Sequence, residues 1–472
     1  MEARLGEAPL PRDPDQNPHF SFTLVAMLPI ARASVGELPG LPLVGNFLDF
    51  RRDRLDMQLR AVATADITRL RMLWRTVWCV GSHELAQQVL VDQEDAFIKG
   101  PALSEVARPL LGRGLLTAEK EPHRRQRKLM APAFTPKRIA GYGRIMAERS
   151  AASADALRPH SMIDIAAAMM ASTLDIVGRT LFDVDLLGEA REIGAALTDA
   201  MEFMMEAGLW MIPISLPLPR NKRLRTSIAR LDDTVLRVIA ARRAACLDRP
   251  DDRGDVLSIL LEAKDDDGAG LSDRNLRDEI MTLMLAGHET TANLLAWTWY
   301  LLALHPEIRT RLEAELDGVL AGRPPAYEDL PRLTYTTQIL DEVLRLYPPA
   351  YVVGRMAQRP LQLGDAAIAA GDIVIISIRG MQRRADYWPD PLAFRPERFA
   401  DKKARTSPGY LPWGGGPRVC IGNHFALAEA QLLLATWAQR FRFRLAQSSI
   451  IEPEPLVTLR PGGGVWVEVE PR

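Results

Sequence analysis

One segment constrains this chain more than any other: YLPWGGGPRVCIGNHFALAEA, Tyr410 to Ala430. Gly414, Gly415 and Gly416 permit backbone conformations that residues with a Cβ avoid, and they leave space above the loop. Pro417 stiffens what the glycines leave slack. Cys420 follows, and a helical pattern starts near Gly422. A sulfur at that point faces free backbone N–H groups and the positive end of a helix, and both are expected to lower the thiol pKa. Arg418 adds a cation that can hold a carboxylate. The set suits a metal or a large anionic cofactor, where a plain buried cysteine is the alternative. The chain has 3 cysteines, Cys79, Cys246 and Cys420, too far apart for a disulfide framework or a zinc site. That usage fits a reducing, cytoplasmic compartment.

The rest of the chain reads as mainly α with small β-sheets. Apolar residues recur at helical spacing over Met169–Leu187, Asn221–Leu247 and Asn275–Leu304. The last is the longest. Ser272 and Asp273 precede it as N-cap candidates, and His305-Pro306 closes it. Thr68–Gly81 and Asp372–Gly380 carry strand signals, and Leu456–Glu470 reads as a late hairpin. No repeat or low-complexity linker divides the 472 residues. The expected organisation is an arm and lead-in over 1–37 and one large domain over 38–472. Phe20–Ala33 is apolar but short and broken by Pro29 and Arg32, so it is read as a buried or surface-lying lead-in and not a transmembrane anchor. A net charge of -1 gives no global attraction to nucleic acid.

Four further stretches carry chemistry. AGHETT, Ala286 to Thr291, sits inside the longest helical pattern. Gly287 removes a side chain where a flat ligand can approach, and Thr290 can bond back to the carbonyl of Ala286 and loosen the turn. Glu289 is a candidate proton carrier. DEVLRLYPP places Glu342 and Arg345 three apart on a helix, and FRPERF follows with Arg398. PHRRQRKLMAPAF, Pro122 to Phe134, is a basic helix closed by Pro132.

Trp413-Gly-Gly-Gly-Pro-Arg418-Val-Cys420-Ile-Gly422 resembles the heme-binding loop of the cytochrome P450 family, the heme-thiolate monooxygenases. The basic helix, the acid-threonine helix, Glu-x-x-Arg, Pro-Glu-Arg-Phe and the cysteine loop follow in that family's order. The resemblance spans about residues 122 to 430. It implies a single large P450-like domain of the soluble bacterial type, with heme b between the long oxygen-activating helix and the cysteine-loop helix. It makes Cys420 the axial iron ligand, with Trp413, Gly414 and Gly422 around it, and puts Ala286 and Gly287 against the heme. Arg127, Arg355 and Arg418 take the positions that reach the heme carboxylates. His123 stands where the family commonly has tryptophan, and Trp413 where it usually has phenylalanine. Gln382 stands near a family histidine that also contacts a carboxylate. Glu289 and Thr290 take the proton-delivery positions, while Glu342, Arg345 and Arg398 form a structural network.

The implied reaction inserts one oxygen atom of O2 into a hydrophobic organic molecule, by hydroxylation or epoxidation of a fatty acid, terpenoid or steroid-like compound. Pocket residues are expected within Ile98–Leu111, Met201–Leu216, Leu283–Thr290, Pro349–Val353 and Leu456–Leu459. Electrons are expected from a separate ferredoxin or flavodoxin-type partner, with Lys402, Lys403, Arg405, Arg124, Arg125 and Lys128 as candidate contacts on a monomer. A hydrogen peroxide-using peroxygenase and a non-catalytic heme sensor or electron carrier are the alternatives.

Overall fold

The computed structural model describes residues 33–472 except 187, 189, 211–215, 249–254, 265–267, 269 and 447–449. Ten helices position the site: α1 (Phe47–Arg52), α2 (Arg54–Thr64), α3 (Lys120–Met130), α4 (Pro136–Asp155), α5 (Ile165–Leu181), α6 (Ala190–Trp210), α7 (Pro219–Asp248), α8 (Asp273–Leu304), α9 (Thr334–Leu346) and α10 (Asn423–Ala438). Helix α8 runs through the centre of the main core, packed by α5, α7, α9 and α10. Its apolar residues surround the axis instead of forming a stripe, as a helix buried on all sides requires. Ser272 caps its start by accepting the Asn275 N–H at 3.2 Å. At its end Pro306 has no N–H to donate, and the chain leaves the helix at His305.

The strands are β1 (Ala33–Glu37), β2 (Ala65–Met72), β3 (Arg75–Val80), β4 (Phe97–Lys99), β5 (Met162–Asp164), β6 (Val353–Ala357), β7 (Leu361–Leu363), β8 (Ala366–Ile368), β9 (Ile373–Ile376), β10 (Phe441–Leu445), β11 (Pro453–Pro455), β12 (Leu459–Pro461) and β13 (Trp466–Pro471). The main sheet has six strands in the order β1-β2-β3-β9-β6-β4. Its inner strand β9 is the unbroken apolar run Ile-Val-Ile-Ile, as a strand covered on both faces demands.

Strand β1, within the expected lead-in, pairs in parallel with β2 from Ala33. Two expectations change. The Asp372–Gly380 strand ends at Ile376, because Ser377 accepts the Gly380 N–H and caps a short helical turn. Leu456–Glu470 is not one hairpin: β12 pairs with β11, while β13 pairs with β10 and β5. Of the expected arm and lead-in over 1–37, residues 1–32 lie outside the described residues, and so do the side chains of 204–215 in the expected pocket stretch.

Candidate active site

The cysteine loop is held by backbone geometry that its sequence dictates. Gly414 and Gly416 have φ of 68° and 65°. A Cβ at Gly416 would lie 2.0 Å from the Leu90 carbonyl oxygen, so only glycine fits that approach. The Cys420 N–H donates to the Trp413 carbonyl at 3.0 Å and closes the loop. Gly422 is the N-cap of α10, and its N–H donates to the Cys420 sulfur. Arg127 of α3 donates to the Val419 carbonyl at 2.8 Å and sets its charge near the sulfur. The sulfur is accessible at the loop surface yet sunk among protein atoms on its other sides. Accessible area measures what can reach it, and depth measures how poorly water solvates its anion. Burial therefore raises the thiol pKa, and the Gly422 N–H and Arg127 only partly offset this. The expected lowering does not occur in the protein alone. Trp413 is half-buried against the main core.

Beside the loop lies a crowd of cations. Burial and the Arg418 charge push Arg355 down to about 10. Burial, Arg418 and Lys99 push His123 on α3 down to about 3, so its imidazole is neutral. Arg418 itself lies below the usual arginine range, chiefly through burial. Lys99, which motif reading missed because it is an isolated residue in β4, is held well below the lysine range by burial, Arg418 and Arg355. Against these stands Glu119, which accepts from Arg418 at 2.5 Å and from the Lys99 backbone N–H at 2.6 Å. Arg418 also donates to the Ala118 carbonyl at 2.7 Å. Desolvated like charges on this scale destabilise one another unless an anion joins them. The donor set thus fits a group that presents two carboxylates at one edge and takes a sulfur ligand at its centre, which is what heme b offers. Arg127, Arg355, Arg418 and His123 would hold that edge, with Lys99 added to the expected set.

Helix α8 carries a matching feature. From Asp278 to Leu302 each residue is buried except Ala286, Gly287 and Thr290. These share one face, and the Thr290 hydroxyl donates to the Ala286 carbonyl at 2.7 Å, as the sequence predicts. A Cβ at Gly287 would lie 3.1 Å from Val177 of α5, so its missing side chain also serves the close α8–α5 packing. Glu289 is buried and its carboxylate is fixed from two sides. Thr458 donates to it, and the Arg460 guanidinium lies 3.1 Å away. Asn293 donates to Thr458 at 3.1 Å, and Arg460 reaches Thr198 and Met201 on α6 at 3.3 Å and 3.6 Å.

Arg460 is invisible to motif reading, because 171 residues separate it from Glu289 and β12 is only three residues long. It holds the Glu289 carboxylate. Glu289→Gln is expected to lower turnover about a hundredfold or more while substrate affinity stays near the wild-type value. Arg460→Gln is expected to cost less in the Glu289→Gln background than alone, a coupling that a thermal-denaturation cycle over the four proteins reads directly.

The three residues assigned to a structural network do meet, deep in the core. Arg345 donates to Glu342 at 2.7 Å and 2.8 Å, and to the carbonyls of Gln382, Pro391 and Ala393. Arg398 donates to Glu342 at 3.2 Å. Gln382 does not reach toward the cations. Its amide N–H2 donates to the Leu344 and Arg345 carbonyls at 2.9 Å, and its oxygen accepts the Leu411 N–H at 2.9 Å. Both donors are spent on the C-terminal turn of α9, so the expected carboxylate contact is withdrawn. Of the candidate partner-docking cations, Arg405 holds Asp341 at 2.6 Å and Arg124 holds Glu121 at 3.2 Å. Lys402 and Lys403 are exposed.

The family model described as cytochrome P450 matches residues 36–466. Cyclooctatin synthase of Streptomyces melanosporofaciens is 38% identical over 429 residues, covering 90% of this chain and 93% of that protein. Cyclooctat-9-en-7-ol 5-monooxygenase of the same organism is 35% identical over 87% of this chain and 90% of its own length. Pentalenene oxygenase of Streptomyces avermitilis is 33% identical over 90% of this chain and 94% of its own length.

Proposed function

Because the chain belongs to the cytochrome P450 family, and is therefore a heme b oxidoreductase, we propose that it hydroxylates a cyclic terpenoid with electrons from a separate ferredoxin-type carrier in the cytoplasm. The names of two relatives support the substrate class, since one oxygenates pentalenene and another cyclooctat-9-en-7-ol. Fatty acids and steroid-like molecules are the alternatives that this reading ranks lower.

The observation that carries the proposal is the open face at Ala286 and Thr290 beside the buried, doubly held Glu289. Bound heme b supplies oxygen activation, which a thiolate ligand promotes by donating electron density to iron. The chain's own residues perform the remaining tasks. The Cys420 sulfur offers the ligand, and the Gly422 N–H supports its negative charge. Thr290 presents a hydroxyl oxygen on the open face while its proton is engaged with the Ala286 carbonyl. The Glu289 carboxylate, one residue away, is the chain's proton carrier. Arg460 and Thr458 hold its Oε1 in place and tie it to α6. Lys402 and Lys403 offer an acidic carrier its first contacts.

A binding screen tests the substrate class. Cyclic terpenes and terpene alcohols are expected to shift the spin state of the ferric holoprotein at micromolar concentrations. Fatty acids and sterols of similar hydrophobicity are expected to need at least about tenfold more, since an ill-fitting shape forfeits packing of that order. Equal or tighter binding of fatty acids would refute the assignment.

A further inference from the structure

The turn after β9 buries a cation that no carboxylate touches among the described residues. Arg379 is only 8% exposed, and its Nε has no hydrogen-bond partner. Two more guanidinium groups near it have a buried nitrogen in the same condition, Arg383 at Nε and Arg54 at Nη1. Three elements bring them together through a pair of tyrosines. The Arg379 N–H donates to the Tyr351 carbonyl at 3.1 Å, and Arg54 of α2 donates to the hydroxyl oxygen of the same tyrosine. Arg383 lies over the Tyr347 ring, 5.4 Å from its centre, at the end of α9.

Arg383 has a structural duty, since it donates to the Leu346 carbonyl at 2.7 Å and satisfies the last turn of α9. The Arg379 side chain has none of this kind, forming no hydrogen bond or ion pair among the described residues. Burial, then the Arg383 charge, push it down to about 9. Burial also holds Arg383 below the usual arginine range. The acids that act on Arg379 are Asp53 and Glu452, and neither makes contact with it. Asp53 is spent on the start of α2, where its Oδ1 accepts the N–H groups of Leu55 and Asp56. The heme-edge cations are a different set, because none of Lys99, His123, Arg355 and Arg418 acts on Arg379 or Arg383. A buried, unpaired guanidinium among others is costly unless an anion joins them. Its planar fork of N–H donors matches the oxygens of a carboxylate or phosphate. Arg54 and Arg383 are half-buried, so the cluster opens to water at its edge.

We propose that Arg54, Arg379 and Arg383 form a site for a small oxyanion of the phosphate class, with Arg379 as its buried floor. Tyr351, which Arg54 and Arg379 share, belongs to a stretch expected to line the substrate pocket. Its hydroxyl donates to the Leu456 carbonyl of another such stretch at 2.9 Å. An anion that fixes the arginines therefore steadies both stretches. The site does not depend on the substrate assignment.

The test is calorimetric titration of inorganic phosphate into the full-length ferric holoprotein, with thermal melting in phosphate and in chloride at equal ionic strength. Heme occupies its own cation set in the holoprotein, so that edge does not compete. One saturable site is expected, with a rise in melting temperature that chloride does not reproduce. Arg379→Gln is expected to weaken phosphate binding at least about tenfold, as loss of charge-assisted donors does. In chloride it is expected to melt no lower than wild type, because an unpaired buried charge is gone. A phosphate monoester that binds more tightly than free phosphate assigns the site to a phosphorylated small molecule, and the reverse assigns it to the free ion. No saturable phosphate binding to wild type, or a phosphate-induced rise that Arg379→Gln keeps in full, overturns the proposal. An Arg379→Gln protein that fails to fold, or melts below wild type in chloride, overturns it too, in favour of a structural cation already paired within the fold.

Discussion

Glu342→Gln is expected to give a protein that folds poorly and does not retain heme. Glu342 accepts two hydrogen bonds from Arg345, one from Arg398 and one from the Arg395 backbone N–H at 2.9 Å. Both glutamate and Arg345 are wholly out of water. A glutamine keeps the shape but leaves two buried guanidinium groups without an anion. Breaking a buried pair from one side costs about 3–5 kcal/mol, a large part of the 5–15 kcal/mol that holds an ordinary domain together. The damage then travels. Arg345 is what ties α9 to the carbonyls of Gln382, Pro391 and Ala393, and Gln382 in turn holds the Leu411 N–H at the entrance to the cysteine loop. Asp341, next to Glu342, accepts from the Tyr410 hydroxyl at 3.0 Å on the same path. Thermal melting and heme content of purified Glu342→Gln check this. A variant as stable and as heme-loaded as wild type would show that the network is ornamental.

How far the sequence alone carries depends on the range of the interaction. The cysteine loop was legible because its physics is local: glycines at Gly414 and Gly416, a sulfur at Cys420 and a helix start at Gly422 lie within nine residues. The Thr290–Ala286 bond was legible for the same reason, since it closes within one helical turn. Gln382 was misread because its neighbours come from α9, almost forty residues away, and consume both of its donors. Arg460 and Lys99 left no local trace. They sit on strands of three residues whose partners are distant, and no periodicity announces them. The cation crowd is therefore more fully built than motif order suggests, and the acid on α8 more tightly held.

Cys420→Ser is expected to abolish turnover to the detection limit while leaving the fold intact. The loop is fixed by the Trp413–Cys420 backbone bond and by the glycine conformations, and none of these uses the sulfur. Serine is smaller and keeps the Gly422 contact, so packing loses little. What disappears is a soft, polarisable donor. A hydroxyl resists deprotonation far more than a thiol and is a poor ligand for this purpose. Arg355, Arg418, Arg127 and His123 still surround the carboxylate edge, so some heme is expected to remain bound. That residual heme makes the variant informative, because ligand identity can be read apart from cofactor loss.

The most direct measurement is the absorption spectrum of the dithionite-reduced, carbon monoxide-bound protein, recorded side by side for wild type and Cys420→Ser. Wild type should show the long-wavelength Soret band of a thiolate-ligated heme, and Cys420→Ser should retain heme but lose that band. A thiolate band that survives the substitution would contradict the assignment of Cys420 and, with it, the reading of the site.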